Sequence, residues 1–170
     1  MSGFMFGGSA LTLDIGVRNN TVQPVIAGDV LQVDLTQAAV GELSTSDGYD
    51  AVQASVGNTD IGHYSVTGVV LAPEGREIGP QEECIIRVMG MVEVQATAGA
   101  SYTTGQLLTP TAVTPSASTP VRFTVAASAA VDVSSNLTRA DISAKAVCLQ
   151  TVTAPSGVSK IKAWMKGLPL

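Results

Sequence analysis

Side chains that could carry out catalysis are few in this sequence and far apart. The 170 residues contain one histidine, His63, which any Ser-His-Asp site would have to use. The segment 99–103 (GASYT) begins like a nucleophile elbow, with Ser101 in the place of the nucleophile. Thr103, however, stands where that motif needs its second glycine, and the segment is predicted to be a β-turn rather than a strand-to-helix turn. We therefore predict no catalytic residues and no enzymatic activity.

Acidic and sulfur-containing residues also lack the spacing that metal chemistry needs. Asp47, Asp50 and Asp60 lie in polar turns, but without the alternating ligands of a calcium loop, so we interpret them as solvated turn residues. The glutamates within 82–93 have no special context, although the sequence leaves a paired-carboxylate glycosidase site open. Histidine and cysteine are not clustered as zinc requires. The prediction is no metal and no cofactor.

The two cysteines, Cys84 and Cys148, both fall within apolar alternating segments. A single pair 64 positions apart is not the cysteine framework of a secreted disulfide-rich protein, although one disulfide stays open. We predict two buried free thiols, which fits folding in a reducing cytoplasm.

The charge content limits the partners of this chain. Charged residues make up 14% of the sequence, against about 25% for a typical domain, and the net charge is −5. Such a neutral surface indicates either coverage by other proteins or a β-domain that tolerates few charges, and both explanations remain open. Nucleic acid is not expected as a partner, since the one basic cluster, Lys160, Lys162 and Lys166, resembles the solvated face of an edge strand. No segment is long and apolar enough to predict a membrane span.

The segment from Glu83 to Ala96 has the clearest structural pattern. Every second residue from Cys84 onward is small or apolar, which predicts a β-strand with one face in a core. Fourteen residues would extend about 46 Å, which is long for one strand. We therefore expect a bend or bulge at Gly90.

Seven or eight such short strands, separated by turns, predict an all-β fold. The expected architecture is a small antiparallel β-barrel or β-sandwich, with at most one short helix near 132–142. Residues 1–22 are predicted to form an extended N-terminal arm, and residues 23–170 the β-domain. Phe4, Met5 and Phe6 lie among glycines in this arm, where they would dock either on a neighbouring subunit or on their own domain.

Several short pieces of the β-domain occur in an order that resembles a known family. These pieces are Ala27–Leu31, Thr67–Ala72, Arg87–Val94, Ala98-Gly99, Gly105–Pro110, Ala144–Leu149 and a final short strand. Over about residues 23–170 the chain resembles the small β-rich head decoration, or cement, proteins of tailed bacteriophages. It departs from them in its apolar arm and in a longer Pro/Ser/Thr loop at 109–120.

The resemblance implies a function in the virion. Such proteins bind the outside of the mature capsid, usually as trimers, and hold capsomers together. The implied partners are the major capsid protein and further copies of the same chain as a homotrimer, with no nucleic acid and no membrane. The implied location is the outer capsid surface of the virion, after assembly in the host cytoplasm. The family has no catalytic residues to carry over.

The candidate site residues are therefore contact residues. Trp164, the only tryptophan, is predicted on the lysine-bearing face of the last strand, where it would anchor an interface or pack under a loop. Met89 and Met91 share the more polar face of the long strand, which would meet a neighbour or lie under a second sheet. With Phe4, Met5 and Phe6 they complete the predicted interface.

The alternative function is a carbohydrate-binding or adhesin-like β-module of a phage fibre. Sugar sites present several exposed aromatic side chains. The sequence offers only four candidates, and they are scattered: Tyr49, Tyr64, Tyr102 and Trp164.

Overall fold

The protein is all-β in the residues that the structure describes. The computed structural model describes residues 11–33, 49–53, 66–111, 121–125, 144–153, 156–157 and 159–167, and these contain strands but no helix. In chain order the strands are β1 (Leu13–Asn19), β2 (Val25–Ile26), β3 (Val30–Val33), β4 (Tyr49–Gln53), β5 (Thr67–Leu71), β6 (Glu77–Ile78), β7 (Glu83–Ala96), β8 (Leu107–Pro110), β9 (Phe123–Val125), β10 (Ala146–Cys148) and β11 (Ser159–Lys166). The predicted helical turn near 132–142 lies outside the described residues.

Strand β7 is the longest described strand and is irregular around Gly90, where its pairing with β1 shifts register between Leu13 and Asp14; we call this irregularity the bend. Its alternate residues from Cys84 to Ala96 are buried, which confirms the prediction for this segment. Gly90 has φ +104°, a conformation that favours glycine. A Cβ atom there would lie 2.7 Å from the carbonyl oxygen of Leu11, so the bend also depends on close contact with the chain before β1.

The first half of β7 belongs to a closed five-stranded barrel. The strand order is β1-β4-β3-β5-β7, and β1 closes the ring by pairing antiparallel with β7, from Leu13 opposite Met89 to Arg18 opposite Glu83. The fold-class prediction is confirmed, and the structure selects the barrel over the sandwich. One pairing in this ring, β1 with β4, is parallel rather than antiparallel.

The second half of β7 belongs to a second five-stranded ring, in the order β7-β11-β10-β8-β9. This ring closes through one parallel residue pair, Ala96 with Phe123, and through the Thr97 amide, which donates to the Phe123 carbonyl at 3.1 Å. Tyr102 stands at the closure with no exposed surface, and its hydroxyl lies 3.2 Å from the carbonyl oxygens of Thr97 and Phe123. The buried tyrosine thus stabilises the closure, because its hydroxyl adds a hydrogen bond to backbone carbonyls on both sides of the short β7–β9 contact.

Each ring has its own apolar core. The barrel core contains Val17, Val25, Leu31, Val33, Val70, Ile78, Cys84, Ile86 and Val88. The largest members of the second core are Tyr102, Phe123, Leu108, Ile161 and Met165. Because β7 contributes alternate side chains to both, its bend fixes how the two rings are placed relative to each other.

Three features differ from the expectations for the sequence. Residues Leu13–Asn19 of the predicted arm form the barrel strand β1. The sequence pattern did not reveal this strand, because its partner β7 lies about 70 positions away along the chain. The loop from Pro73 to Pro80 contains β6, which pairs with β2. Strand β11 is not an edge strand, since it pairs with β7 on one side and with β10 on the other. Its lysines alternate along the chain because one face of the strand lies outside the ring.

Candidate interaction surface

The structure describes both cysteines and some of the acidic residues that were considered for chemistry. No group of three or more His, Cys, Asp or Glu residues there could hold a metal ion. Cys84 and Cys148 are both buried and free, as predicted, and burial raises the pKa of the Cys84 thiol to about 11, so that it stays protonated at neutral pH. His63, Asp47 and Asp60 lie outside the described residues.

Four outward-facing apolar side chains instead form a continuous row across the second ring. Met91 on β7 lies opposite Trp164 on β11, Trp164 opposite Val147 on β10, and Val147 opposite Leu107 on β8. We call these four residues the apolar band. Adjacent strands are about 4.8 Å apart, so the band is about 15 Å long. Met91 is 48% exposed and Trp164 36%, whereas Val147 and Leu107 are half-buried.

Lysines border the band on both sides along the strands. On one side Lys166 lies next to Met89, and its amide donates to the Lys145 carbonyl at 3.0 Å. On the other side Lys162 lies opposite Glu93 and next to Leu149, which is 39% exposed. We call Lys145, Lys162 and Lys166 the lysine rim. An apolar centre with a charged border is the usual composition of a protein–protein contact surface.

The positive groups on one side of the rim are close enough to affect each other. Burial lowers the pKa of Lys145 and the neighbouring Lys166 lowers it further, because each makes a positive charge at Lys145 less favourable. Two like charges this close to each other weaken the folded state.

A groove of about 520 Å³ lies beside the band, between the barrel and the second ring. The groove follows the bend of β7 and includes Arg87, Met91 and Glu93, with Glu74 and Lys160 at its walls. Lys160 and Glu74 approach to 3.6 Å. Because acidic and basic side chains both line the groove, it carries mixed charge rather than a field of one sign. The Lys160–Glu74 pair is exposed to water and contributes little to stability.

Arg87 spans the bend and occupies part of this groove. Its Nε and Nη2 atoms donate to the two carboxylate oxygens of Asp14, each at 2.8 Å, and its Nη1 donates to the Met91 carbonyl at 2.9 Å. The hydrogen bonds from Arg87 lower the pKa of Asp14, and Asp14 in turn raises the pKa of Arg87. Three of the five N–H donors of Arg87 therefore hold β1 and the Met91 carbonyl at the bend.

The predicted interface residues divide into three groups. Trp164 and Met91 lie side by side in the band, and Met89 lies half-buried in the next row, opposite Leu13 and Lys166. Phe4, Met5 and Phe6 lie outside the described residues. Sequence analysis missed Leu107, Val147 and Lys145, because alternation shows which face of a strand is polar but not which residues of different strands lie side by side.

The structure also bears on two expectations about alternative partners. Tyr102, one of the four aromatic residues considered for sugar binding, is completely buried and so unavailable to a sugar. In the described ranges no helix has the length and apolar character needed to cross a lipid bilayer.

Comparisons with known proteins give little further information. No protein-family model and no curated protein matches the sequence. Among solved structures, the chain is similar to the head fiber gp8.5 N base of bacteriophage phi29, with 11% identity, a TM-score of 0.44, and coverage of 94% of this chain and 98% of that one.

Proposed function

We propose that this protein is a structural component of a tailed-phage virion, which binds the outer surface of the capsid as a homotrimer and stabilises it. The observation that carries the proposal is the apolar band, an outward-facing row on a closed ring in which Met91 and Trp164 are exposed and Val147 and Leu107 are half-buried. The order of short β-segments that resembles head decoration proteins supports the same function. In this proposal the chain has no catalytic role, cofactor, nucleic-acid partner or membrane partner.

A contact function accounts for the position of the band. Apolar surface left in water costs about 25 cal/mol per Å², so a row of four outward apolar residues is unfavourable in an isolated domain. Inward-facing residues of the same strands, such as Ala163 and Cys148, already fill the core. The outward row therefore lies outside the core. A partner that covers it removes the unfavourable free energy of exposing these side chains to water.

Stabilisation of the capsid follows from mass action. A protein that binds only the assembled shell favours that state by RT ln(1 + [L]/Kd), about 2.7 kcal/mol when its free concentration is 100 times Kd. Three linked subunits on one shell bind far more tightly than one, because the second and third contacts form at high effective concentration. A closed barrel fused to a second ring suits this role, since its contact residues sit on paired strands and lose little freedom on binding.

The test is binding of the purified chain to expanded empty shells of the phage that encodes it. We expect the chain to sediment with the shells, to raise the temperature at which they rupture, and to scatter light as a trimer when free. Trp164→Ala should weaken shell binding roughly 30-fold, because a central tryptophan commonly contributes about 2 kcal/mol or more.

The matched control is Val22→Ala, which truncates a side chain that is 73% exposed and lies away from the band. It should bind shells like the unmodified chain. A folded chain that stays in the supernatant at every shell concentration would rule out the proposed function.

A further inference from the structure

All four lysines of this acidic chain lie on one part of its surface. They are Lys145, Lys160, Lys162 and Lys166, on or next to the adjacent strands β10 and β11. The remaining charges, five arginines and 14 acidic residues, leave the rest of the chain at −9. The described strands around the apolar band therefore carry four lysines against the neighbouring Glu93 and Glu74, on a chain of net charge −5, which gives the band a preferred electrostatic partner.

This charge distribution disfavours a symmetric contact between two copies through the band. In a two-fold contact the same patch faces itself, so the lysine rim of one copy would meet the lysine rim of the other. Like charges brought together and desolvated cost several kcal/mol. The band thus suits a surface of different composition.

The composition of the surface also indicates a partner that folds separately. Permanent subunit interfaces have a more apolar core, and lysine is depleted there. Here lysines flank a band only one residue wide, with Lys166 and Lys162 two positions either side of Trp164 on the same strand. A border of this kind keeps the free protein soluble and still allows an apolar centre to be covered later.

We propose that the apolar band and the lysine rim dock on an acidic protein surface with an apolar centre, and that this surface belongs to the capsid shell. The inference rests on the proposed function and adds the face of this protein that meets the shell and the charge that the shell presents. The lysines would pair with carboxylates around the edge of the contact, while Trp164 and Met91 enter the apolar centre.

Nucleic acid is the competing class of partner for a positive patch with a tryptophan. Single-strand sites combine a cationic groove with several stacking aromatics, whereas the band offers one aromatic among aliphatic side chains. Glu93 faces Lys162 in the same region, and a net charge of −5 opposes the approach of a polyanion. These features favour a protein surface.

The direct test uses a zero-length carbodiimide cross-linker, which joins a lysine amine to a carboxylate only when the two are in contact. Decorated shells are cross-linked, digested and analysed by mass spectrometry. We expect cross-links from the rim lysines to aspartate or glutamate residues of the shell subunit.

A charge-reversal variant tests the energetic contribution of the rim. Lys166→Glu should weaken shell binding about tenfold at low ionic strength, and the difference should shrink as salt is raised. The fold should tolerate this change, since a glutamate there would lie beside Lys145. Arg76→Glu, an equal change of charge at an exposed loop position outside the band, is the control, and Lys166→Arg should retain binding.

The outcomes separate this inference from the proposed function. Shell binding that is unaffected by Lys166→Glu, with no cross-links from the rim lysines, overturns the inference and leaves the function standing. Cross-links from the rim only to a second copy also overturn it. Tight binding of a labelled 12-nucleotide single strand that is lost in Lys166→Glu assigns the surface to nucleic acid instead. Failure to bind shells at all overturns both.

Discussion

At the scale of single residues, Asp29 is the most unusual group in the described structure. Its side chain is 2% exposed, and its Oδ2 accepts a hydrogen bond from the Ile26 amide at 2.8 Å. Within the described part of the chain, its Oδ1 and the Nε of Arg122 are buried without hydrogen-bond partners. Burial raises the pKa of Asp29 to about 6, although the Ile26 amide and the charge of Arg122 act in the opposite direction.

This pKa predicts an unusual pH dependence of stability. Because the folded pKa lies above the ordinary value of 3.8, the folded state binds more protons than the unfolded state between pH 4 and 6. The contribution of Asp29 to the free energy of unfolding is therefore most favourable below pH 4 and falls as pH rises through 6, by on the order of 3 kcal/mol. Asp29→Asn should remove most of this fall, as measured by urea unfolding at several pH values.

Asp14 provides the control for the sign of this effect. Arg87 lowers its pKa, so its stabilising contribution is present above pH 4 and is lost only at lower pH. Asp14→Asn should therefore leave the slope between pH 4 and 6 unchanged. If Asp29→Asn and the unmodified protein show parallel stability curves over this range, Asp29 does not titrate there.

At the scale of secondary-structure elements, the bend in β7 determines the architecture. Met89 pairs with both rings, opposite Leu13 of β1 and Lys166 of β11, and at the next residue, Gly90, Leu11 and Thr12 pack against the strand. Two separate factors exclude a side chain at this position, namely the positive φ and the contact with neighbouring backbone.

Three glycine substitutions separate these two factors. Gly90→Ala should lower the free energy of unfolding by about 3 kcal/mol or more, because it adds both strain and a clash. Gly99 also has a positive φ, but an added Cβ atom would meet no other atom within 4 Å. Gly99→Ala should therefore lower the free energy of unfolding by about 1 kcal/mol. Gly16→Ala, in β1, has neither and should change stability by less than about 0.5 kcal/mol.

Denaturant unfolding of the three variants measures these differences. Equal losses for Gly90→Ala and Gly99→Ala would show that contact with the chain before β1 does not hold the bend.

At the scale of the whole molecule, the boundary between the predicted arm and the barrel decides how the arm can be tested. Removal of residues 1–16 would delete Leu13–Gly16 from β1 and open the barrel. Removal of 2–10 leaves β1 and the Leu11–Gly90 contact intact. If the arm docks through Phe4, Met5 and Phe6, this deletion should keep the melting temperature and weaken shell binding by at least about tenfold, since each buried phenylalanine contributes about 2 kcal/mol.

Sedimentation with shells and thermal unfolding measure the two quantities separately. The control is the full-length chain with Phe4→Ser and Phe6→Ser, which should bind as weakly as the deletion. Unchanged shell affinity in both variants would contradict a docking role for the arm.

The sequence by itself determined the features that depend on neighbouring residues. Alternation from Cys84 to Ala96 identified β7, Gly90 marked its bend, and the spacing of lysines placed Trp164 on an outward face. These predictions succeeded because the side-chain direction in a strand follows directly from local backbone geometry.

Only the tertiary structure decided which strands are neighbours and in what register. Strand β1 pairs with β7 across about 70 residues, and the apolar band exists only because Leu107, Val147, Trp164 and Met91 fall opposite one another on four strands. The burial of Asp29 beside Arg122, where the Val30 amide donates to the Val121 carbonyl, is equally non-local. Backbone hydrogen bonds between strands are chemically alike at every residue, so the register is selected by the packing of two complete cores rather than by any short segment.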